Sequence, residues 1–316
     1  MPSLSQLEYI VAVDRFRHFG KAADFCHVTQ PTLSMQIQKV EEEIGYPIFD
    51  RMKKPIVPTA KGTRLIQQAK ILLREHQKLI EISKNQTDEV SGEFRLGVIP
   101  TIAPYLIPHF IETFSKEFPK VQLSIDELKT GTILQRLSDD TLDAAIMATP
   151  LHEVGLKERR LFVEPFYLYV SKHHPLNSRK RIKEEDLEGS QMWLLEDGHC
   201  FRSQIVHYCS LHEKDRVFPN IQFEGGNLDT LRYLVRKSQG YTLVPALLVD
   251  NLSESEKRDY VREFERPNPS REVSLVHRRD QWKSDILKAL EETILKKLPR
   301  ELLEYDSKRQ QILEVK

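Results

Sequence analysis

Apolar residues recur at helical spacing through the first 60 residues, which predicts three short helices. The third has the clearest ends, because Thr29 is a typical N-cap, Pro31 lies in the first turn and Gly45 follows the last apolar position. A turn is predicted at Phe19-Gly20, and a two-stranded wing at the basic, proline-punctuated residues 48–59. The three apolar stripes are Leu4, Leu7, Ile10 and Val11; Ala22, Ala23 and Cys26; and Leu33, Ile37, Val40 and Ile44.

A long helix is predicted from about Ala60 to Asn85. Its apolar positions alternate at spacings of four and three, as in a coiled-coil seam, and charged residues cover most of its remaining surface. We expect this seam to join two copies of the chain; the alternative is that it packs on its own domain. The seam residues are Leu65, Ala69, Leu72, His76, Leu79 and Ser83, flanked by Ile66, Leu73 and Ile80.

From Gly92 onwards, short apolar runs of strand type alternate with helical stretches, which predicts a mostly parallel α/β sheet. A closing helix is predicted from about Trp282 to Leu303, and the charged tail after it is expected to be frayed. The predicted strands are FRLGVI, VQLSID, DAAIMA, FYLYVSK, MWLLE, NIQFEG, YTLVPA and REVSLVHR. The predicted helices between them are 103–118, 132–141, 201–211 and 227–238.

Composition narrows the class of protein. The 316 residues contain 47 basic and 47 acidic side chains, so a uniformly basic nucleic-acid binder is excluded, although a local basic surface is not. No segment approaches the roughly 20 apolar residues of a membrane span, and the N-terminus is not a signal peptide. Three cysteines do not make a disulfide scaffold, so we expect a cytoplasmic protein without membrane contact.

The first 64 residues contain the local basic surface. Between Arg15 and Arg64 there are nine Lys and Arg residues against five Asp and Glu residues. The third helix presents small, polar or cationic residues away from its apolar stripe, as in a helix that reads bases in the major groove, and wing cations would lie near phosphates. An ordinary three-helix packing unit is the alternative. The presented residues are Pro31, Thr32, Ser34, Met35, Gln38 and Lys39.

The segment AADFCHVTQPTLSMQIQKVEEEIGYPIFDRMKKPIVPTAKG resembles the winged helix-turn-helix of LysR-type transcriptional regulators. The resemblance implies a DNA-binding domain at 1–59, a linker and dimerisation helix at 60–88 and a regulatory domain at 92–316. That last domain would be of the two-subdomain α/β kind seen in periplasmic binding proteins, with subdomain I at about 92–163 and 270–303 and subdomain II at about 164–269. The residues implied to bind DNA are Gln30, Pro31, Thr32, Ser34, Met35, Gln38, Arg51, Lys53 and Lys54.

The three cysteines differ in their surroundings. Cys26 lies on an apolar stripe and is interpreted as a small core residue. Cys200 follows an Asp197-Gly198 turn and should open a helix, where the helix dipole and the neighbouring His199 and Arg202 would favour its thiolate. This is the setting of a reactive cysteine. The alternative is that Cys200 and Cys209 are two ordinary thiols on one helix.

The segment WLLEDGHCFRSQIVHYC resembles the peroxide-sensing OxyR group of the LysR family, and GVIPTIAPYLIP is similar to that group's first regulatory strand and loop. The resemblance implies that Cys200 reacts with hydrogen peroxide and that Cys209 then forms a disulfide with it. It also implies a peroxide pocket lined by His199, Thr101, Thr130 and Arg271. The residues after Cys209, SLHEKD, depart from the group's pattern.

Three other functions compete with this interpretation. A metal site could use His199, Cys200, His207 and Cys209, but the ends of a helix over 200–209 lie ~13.5 Å apart, too far for one ion. A thiol peroxidase is another alternative, but an isolated cysteine pair together with a DNA-binding segment fits a sensor better than an enzyme. A LysR-type regulator that binds an organic co-inducer is the strongest alternative. We therefore expect a transcriptional activator without enzyme activity, metal or cofactor, acting as a homodimer or homotetramer on double-stranded DNA with RNA polymerase as a further partner.

Overall fold

The computed structural model describes residues 1–84, 89–187, 192–209, 223, 225–279, 281 and 283–315. The chain divides into two compact units, Met1–Glu89 and Val90–Lys316. Each unit has its own hydrophobic core. No helix within the described ranges is long and apolar enough to cross a membrane.

The first unit is a winged helix-turn-helix followed by a long helix. Its elements are α1 (Leu4–Phe16), α2 (Phe19–Phe25), α3 (Gln30–Ile44), β1 (Phe49–Asp50), β2 (Val57–Pro58) and α4 (Ala60–Lys84). The Thr29 side chain accepts a hydrogen bond from the Thr32 amide, and Gly45 ends α3 in the left-handed conformation at φ 78°. Strands β1 and β2 pair antiparallel. The predicted third helix and wing are confirmed.

The turn between α1 and α2 lies earlier than predicted. Arg17 adopts the left-handed conformation, and His18 Nδ1 accepts hydrogen bonds from the amides of Gly20 and Lys21. Phe19 and Gly20 therefore lie in the first turn of α2, and the prediction of a turn at Phe19-Gly20 was wrong. The reason is that a histidine side chain acts as the N-cap here, which a search for glycine misses.

Helix α4 presents two different surfaces along its seam. Ile66 and Ala69 are buried in the core of the first unit, with Leu65 packed beside them. Further along, Leu72 and Leu79 are 47% and 68% exposed. The first half of the seam thus packs on its own domain, whereas the second half offers apolar side chains to solvent.

The second unit is a sheet flanked by helices. Its first elements are β3 (Gly92–Val98), α5 (Ala103–Glu117), β4 (Val121–Glu127), α6 (Thr130–Ser138), β5 (Ala144–Thr149), β6 (Leu156–Val170), β7 (Arg181–Ile182) and α7 (Cys200–Tyr208). The remaining elements are α8 (Leu228–Lys237), β8 (Tyr241–Pro245), α9 (Ala246–Asp250), α10 (Glu254–Tyr260), β9 (Val261–Phe264), β10 (Asn268–Arg278), α11 (Ser284–Lys297), α12 (Arg300–Leu303) and β11 (Gln310–Ile312).

The sheet is mixed, with the strand order β4-β3-β5-β10-β6-β9-β7, while β11 pairs with β10 and β8 pairs with β6. Strand β3 runs parallel to β4 and β5, but β10 is antiparallel to both β5 and β6. The prediction of a mostly parallel sheet was therefore wrong, because the two long strands β6 and β10 run antiparallel to each other and to the neighbours β8 and β5. Strand β6 pairs with β10 as far as Pro165 and with β8 from Phe166.

Four other sequence-based expectations have different outcomes. The MWLLE segment makes only an isolated bridge, from Met192 to Tyr241, and is not a regular strand. Most of the predicted strand NIQFEG, together with Trp282, lies outside the described residues. The closing helix is broken into α11 and α12 at Leu298-Pro299. The tail after Leu303 is not frayed, because β11 pairs parallel with Asn268–Ser270 of β10.

Candidate functional site

Cys200 is the first residue of α7 and is buried, with 5% of its surface exposed. The preceding Gly198 adopts a left-handed conformation at φ 89°, which turns the chain sharply into the helix. His199 is the N-cap, but its side chain makes no capping hydrogen bond. The predicted start of the helix at this cysteine is confirmed.

A cavity of about 440 Å³ opens beside Cys200. Thr130 and Gly131, the first residues of α6, lie in its wall together with the first turn of α7. The amino ends of two helices therefore border the same space, and their dipoles favour negative charge there. The lining residues are Thr130, Gly131, Asp197, Gly198, His199, Cys200, Arg202, Ser203, Val206 and Val315.

Two polar atoms of this wall lack hydrogen-bond partners among the described residues. They are the Thr130 hydroxyl oxygen and His199 Nε2, and both are buried. Glu196 places Oε1 3.7 Å from His199 Nε2, beyond hydrogen-bond distance. Because an unpaired buried polar group is costly, each of the two atoms would be stabilised by a hydrogen-bond partner in the cavity.

The cations around the cavity are paired with acids. Lys129 Nζ lies 2.7 Å from Glu196 Oε1, and Arg202 Nε lies 2.7 Å from Asp197 Oδ1. Burial, and next the Lys129 charge, lowers the pKa of His199, so its imidazole is mainly neutral near pH 7. The positive charge expected from Arg202 is therefore balanced by Asp197, and the lowered pKa of His199 disfavours the charge expected from its ring.

Thr101 and Arg271 bind each other in a neighbouring buried cluster and do not line the cavity. Arg271 is fully buried and donates to Thr101 Oγ1 at 2.9 Å and to the Thr101 carbonyl at 3.0 Å. Its charge is paired with the equally buried Glu164 at 2.7 Å. The guanidinium carbon lies 5.4 Å from the ring centre of Phe201, the residue after Cys200. The cluster thus packs against the first turn of α7 through Phe201.

Cys209 lies at the opposite end of α7, where its amide donates to the Ile205 carbonyl. At 1.5 Å per residue, the helix separates the Cα atoms of Cys200 and Cys209 by ~13.5 Å. Burial, and next the Glu184 charge, raises the pKa of the Cys209 thiol to about 12, so this sulfur is protonated in the helical state. Cys26 is a partly buried residue at the end of α2, and burial raises its pKa too.

The residues considered for a metal site are divided between the two ends of α7. His199 and Cys200 are at its start, and His207 and Cys209 are at its end. Within the described ranges, no group of three His, Cys, Asp or Glu side chains is placed to hold a metal ion.

The exposed face of α3 is the candidate surface for DNA. Its apolar stripe of Leu33, Ile37 and Val40 is fully buried, which turns the other faces outward. Met35 is 59% exposed, and Ser34 is partly buried. The remaining residues expected to contact DNA from this helix, Gln30, Pro31, Thr32 and Gln38, are all exposed.

The wing contains both a paired and two unpaired cations. Arg51 Nη2 donates to Glu41 Oε2 at 2.8 Å, and its guanidinium lies over the Phe19 ring. In the described part of the chain, exposed Lys53 and Lys54 form no ion pair. The lysines are therefore available to a phosphate backbone, whereas Arg51 also holds the wing against α3.

Sequence reasoning missed Lys129, Glu196 and Gly226 near the cavity. A Cβ atom added to Gly226 would lie 3.1 Å from Glu196 Oε1 and 3.3 Å from His199 Nε2, so the backbone of Gly226 closely approaches both side chains. The Gly225-Gly226 pair is a visible signal of such an approach. The Lys129–Glu196 ion pair spans 67 positions and has no local sequence signal.

Comparison with known proteins agrees with this geometry. Residues 4–63 match the model of the lysR family of bacterial regulatory helix-turn-helix proteins, and residues 87–299 match the LysR substrate binding domain. The DNA-binding transcriptional dual regulator OxyR of Escherichia coli K12 is 38% identical over 278 residues, covering 87% of this chain and 89% of the relative. A hydrogen peroxide-inducible genes activator of Pectobacterium carotovorum is 38% identical over 276 residues, covering 87% and 90%.

A solved structure of a full-length OxyR variant from Pseudomonas aeruginosa superposes with a TM-score of 0.74 at 32% identity, covering 93% of this chain and 98% of that one. A hydrogen-peroxide-bound OxyR variant from Corynebacterium glutamicum superposes with a TM-score of 0.61 at 27% identity, covering 94% and 92%. On its helix-turn-helix, its regulatory domain and these relatives, the chain belongs to the LysR family of bacterial regulators, in the OxyR group.

Proposed function

We propose that this chain is a DNA-binding transcriptional regulator that senses hydrogen peroxide by oxidation of Cys200 and controls antioxidant genes. The observation that carries the proposal is the buried Cys200 thiol at the start of α7, beside two polar atoms without partners in the described structure, Thr130 Oγ1 and His199 Nε2. Hydrogen peroxide is small and neutral, and it can form hydrogen bonds with both Thr130 Oγ1 and His199 Nε2. The peroxide-inducible relatives support the same function.

In the first step, the Cys200 thiolate attacks one oxygen of hydrogen peroxide and the O–O bond breaks. The departing hydroxide takes up a proton and becomes water, while the cysteine is oxidised to sulfenic acid. Thr130 and His199 orient the peroxide and stabilise the charge that develops on the leaving oxygen. Arg271 and Thr101 do not contact the peroxide; they act indirectly, by holding Phe201 and the start of α7 in place.

In the second step, the sulfur of Cys209 attacks the sulfur of Cys200, and the hydroxyl group leaves as water with the thiol proton. A disulfide requires Cα atoms within about 7 Å, whereas the intact helix holds them ~13.5 Å apart. The α7 segment must therefore unwind before the bond forms. Unwinding also takes Cys209 out of the buried site that keeps its pKa high, which makes it a better nucleophile.

The disulfide changes gene expression through the rest of the chain. We propose that Gln30, Pro31, Thr32, Ser34, Met35 and Gln38 approach the bases, with Lys53, Lys54 and Arg51 near the phosphates. The exposed half of the α4 seam joins two copies into a homodimer, from which a homotetramer is built. The regulator acts on operators in the bacterial cytoplasm, with RNA polymerase as its partner at promoters.

The domain limits proposed from the sequence fit this scheme. They are 1–59, 60–88 and 92–316, with subdomain I at about 92–163 and 270–303 and subdomain II at about 164–269. The exchange of partners along β6, from β10 to β8 between Pro165 and Phe166, supports a boundary near residue 164.

A regulator that binds an organic co-inducer is the second candidate. The volume of about 440 Å³ beside Cys200 favours it, because small-molecule pockets of ≈ 300–1,000 Å³ are common. The two functions differ in chemistry, since a co-inducer would bind reversibly and leave both thiols free.

The decisive experiment is to titrate the reduced protein with substoichiometric hydrogen peroxide and follow its thiols by mass spectrometry. We expect a Cys200–Cys209 disulfide in the wild type, no reaction in Cys200→Ser and accumulation of sulfenic acid in Cys209→Ser. Cys26→Ser is the matched control and should behave like the wild type. Free thiols at Cys200 and Cys209 after treatment, together with a bound organic molecule, would instead support the co-inducer function.

A further inference from the structure

The segment that follows α12 returns to α7, the helix that begins at Cys200. Strand β11 adds to the sheet beside β10, with Gln310 opposite Asn268 and Ile312 opposite Ser270. The pairing is extended at both ends, because the Asn268 amide donates to the Arg309 carbonyl at 2.7 Å and the Leu313 amide donates to the Ser270 carbonyl at 2.8 Å. We name residues 310–315 the strap.

The strap is bonded directly to α7. Gln204, in the middle of that helix, is fully buried, and its Nε2 donates to the Leu313 carbonyl at 2.7 Å. The Leu313 side chain is buried in the core of the regulatory unit. A backbone carbonyl of the strap thus pairs with the buried Nε2 of Gln204, whose Oε1 has no hydrogen-bond partner among the described residues. The two segments cannot separate without leaving Nε2 unpaired as well or exposing it to water.

The strap also closes one side of the cavity at Cys200. Val315 lies in the cavity wall, which it shares with three residues spaced three apart along α7, namely Cys200, Ser203 and Val206. This apolar side chain packs against the core as well. The same short segment therefore borders the reacting thiol and bonds the helix that the thiol begins.

We propose that the strap is a latch that holds α7 in its reduced, helical form, with Gln204 as the positioning residue through which it acts. The proposal rests on the proposed function, in which formation of the disulfide requires α7 to unwind. Unwinding moves Gln204 and breaks its bond to Leu313, so the strap is released from α7 when the disulfide forms. An intact strap makes the disulfide slower to form and easier to reduce.

The first test is amide hydrogen exchange of the full chain in its reduced form and in its chemically confirmed disulfide form. We expect exchange to rise on oxidation both in α7 and in residues 310–315. Slow exchange in 310–315 of the disulfide form, at the level of the reduced form, would overturn the release of the strap.

The second test is a double-mutant cycle on reduced protein, comparing the wild type, Gln204→Met, a chain ending at Arg309 and the combination of both changes. Removal of the strap should speed exchange in α7 about fivefold when Gln204 is present, the size of effect that one hydrogen bond gives. The effect should be clearly smaller when Gln204 is replaced, because only the packing of Leu313 and Val315 is then lost. Equal effects of strap removal in both backgrounds would refute the role of Gln204.

Gln281→Met is the matched control, because Gln281 also donates from Nε2 to a backbone carbonyl, that of Asp143, beyond the other end of β10. It should leave exchange in α7 unchanged. The cycle uses no peroxide, so it tests the latch even if peroxide leaves the cysteines unreacted. Conversely, a disulfide that forms while the cycle shows no coupling would retain the proposed function and reject the latch.

Discussion

The Lys129 ammonium lies 2.7 Å from the Glu196 carboxylate, and this ion pair joins the amino end of α6 to the loop that precedes α7. His199 follows in the same loop, with its Nε2 3.7 Å from the same carboxylate oxygen. The hydrogen bond from Lys129 is the main cause that lowers the pKa of Glu196. The protonation of His199 therefore depends on a residue 70 positions earlier in the chain.

We predict that Lys129→Met raises the pKa of His199. The substitution removes a nearby positive charge and leaves the Glu196 carboxylate without its lysine, and both changes favour the imidazolium. NMR titration of the His199 ring protons measures this shift. Lys116→Met is the matched control, since it breaks an exposed ion pair with Glu112 on α5. An unchanged His199 titration in Lys129→Met would show that the ion pair does not govern the imidazole.

We predict that Thr130→Val slows the reaction of Cys200 with hydrogen peroxide by at least about tenfold, the effect of losing a hydrogen bond to a charged group. Stability should not fall, because the Thr130 hydroxyl has no partner within the described residues. Stopped-flow oxidation rates and urea unfolding measure the two effects. Thr132→Val, at an exposed position of the same helix, serves as the control. Equal peroxide rates in the two variants would remove Thr130 from the peroxide pocket.

We predict that acid weakens the regulatory unit through two buried histidines. Burial is the main cause that lowers the pKa of both His199 and His277, so below the ordinary value of about 6.5 the unfolded chain binds protons that the folded chain does not. The free energy of unfolding should therefore fall as pH decreases from about 7.5 to 5.5. The double variant His199→Gln, His277→Gln should show a smaller fall in urea titrations. An equal fall in the double variant and the wild type would contradict the role of these two histidines.

We predict different losses of DNA binding for two residues of the first unit. Lys53→Ala should weaken binding to specific and random DNA alike and lower the salt slope by about one, because it removes a phosphate contact. Gln30→Ala should cost ~1–3 kcal/mol at the operator and little on random DNA, because it removes a base contact. Fluorescence anisotropy at several salt concentrations measures both. The same pattern in both variants would contradict this assignment.

We predict that Leu72→Asp weakens self-association through α4 and, with it, operator binding. A charge at this exposed seam position opposes burial between two copies, and a single recognition helix cannot span two half-sites. Ile71→Asp is the control, since Ile71 is also exposed and apolar but lies off the seam. Sedimentation velocity of the full chain checks the result. If both variants associate like the wild type, the interface lies elsewhere.

Local signals explain what the sequence predicts well. Thr29, Pro31 and Gly45 determine the ends of α3 through contacts within one turn, and each is visible without knowledge of the fold. The start of α7 is predictable for the same reason, because the Asp197-Gly198 turn directly precedes it.

Long-range contacts explain what the sequence does not predict. Strand β11 is short and lies among charged residues, and it becomes ordered only by pairing with Asn268–Ser270 of β10. The pairing of Lys129 with Glu196 likewise depends on how α6 and the loop before α7 meet in space. Arg271 is in the group of residues that the motif implies, but the motif does not reveal that Glu164 neutralises it.

The pairing of cations near the Cys200 cavity has a consequence for the choice of oxidant. Lys129, Arg202 and Arg271 each have a carboxylate partner, and the low pKa of His199 leaves its ring neutral. A negatively charged oxidant such as hypochlorite therefore gains no unbalanced cation from these side chains, whereas an uncharged one enters without displacing a counter-ion. We expect the rate with hydrogen peroxide to be nearly independent of ionic strength, because peroxide is uncharged and these side chains add no unbalanced charge to the site.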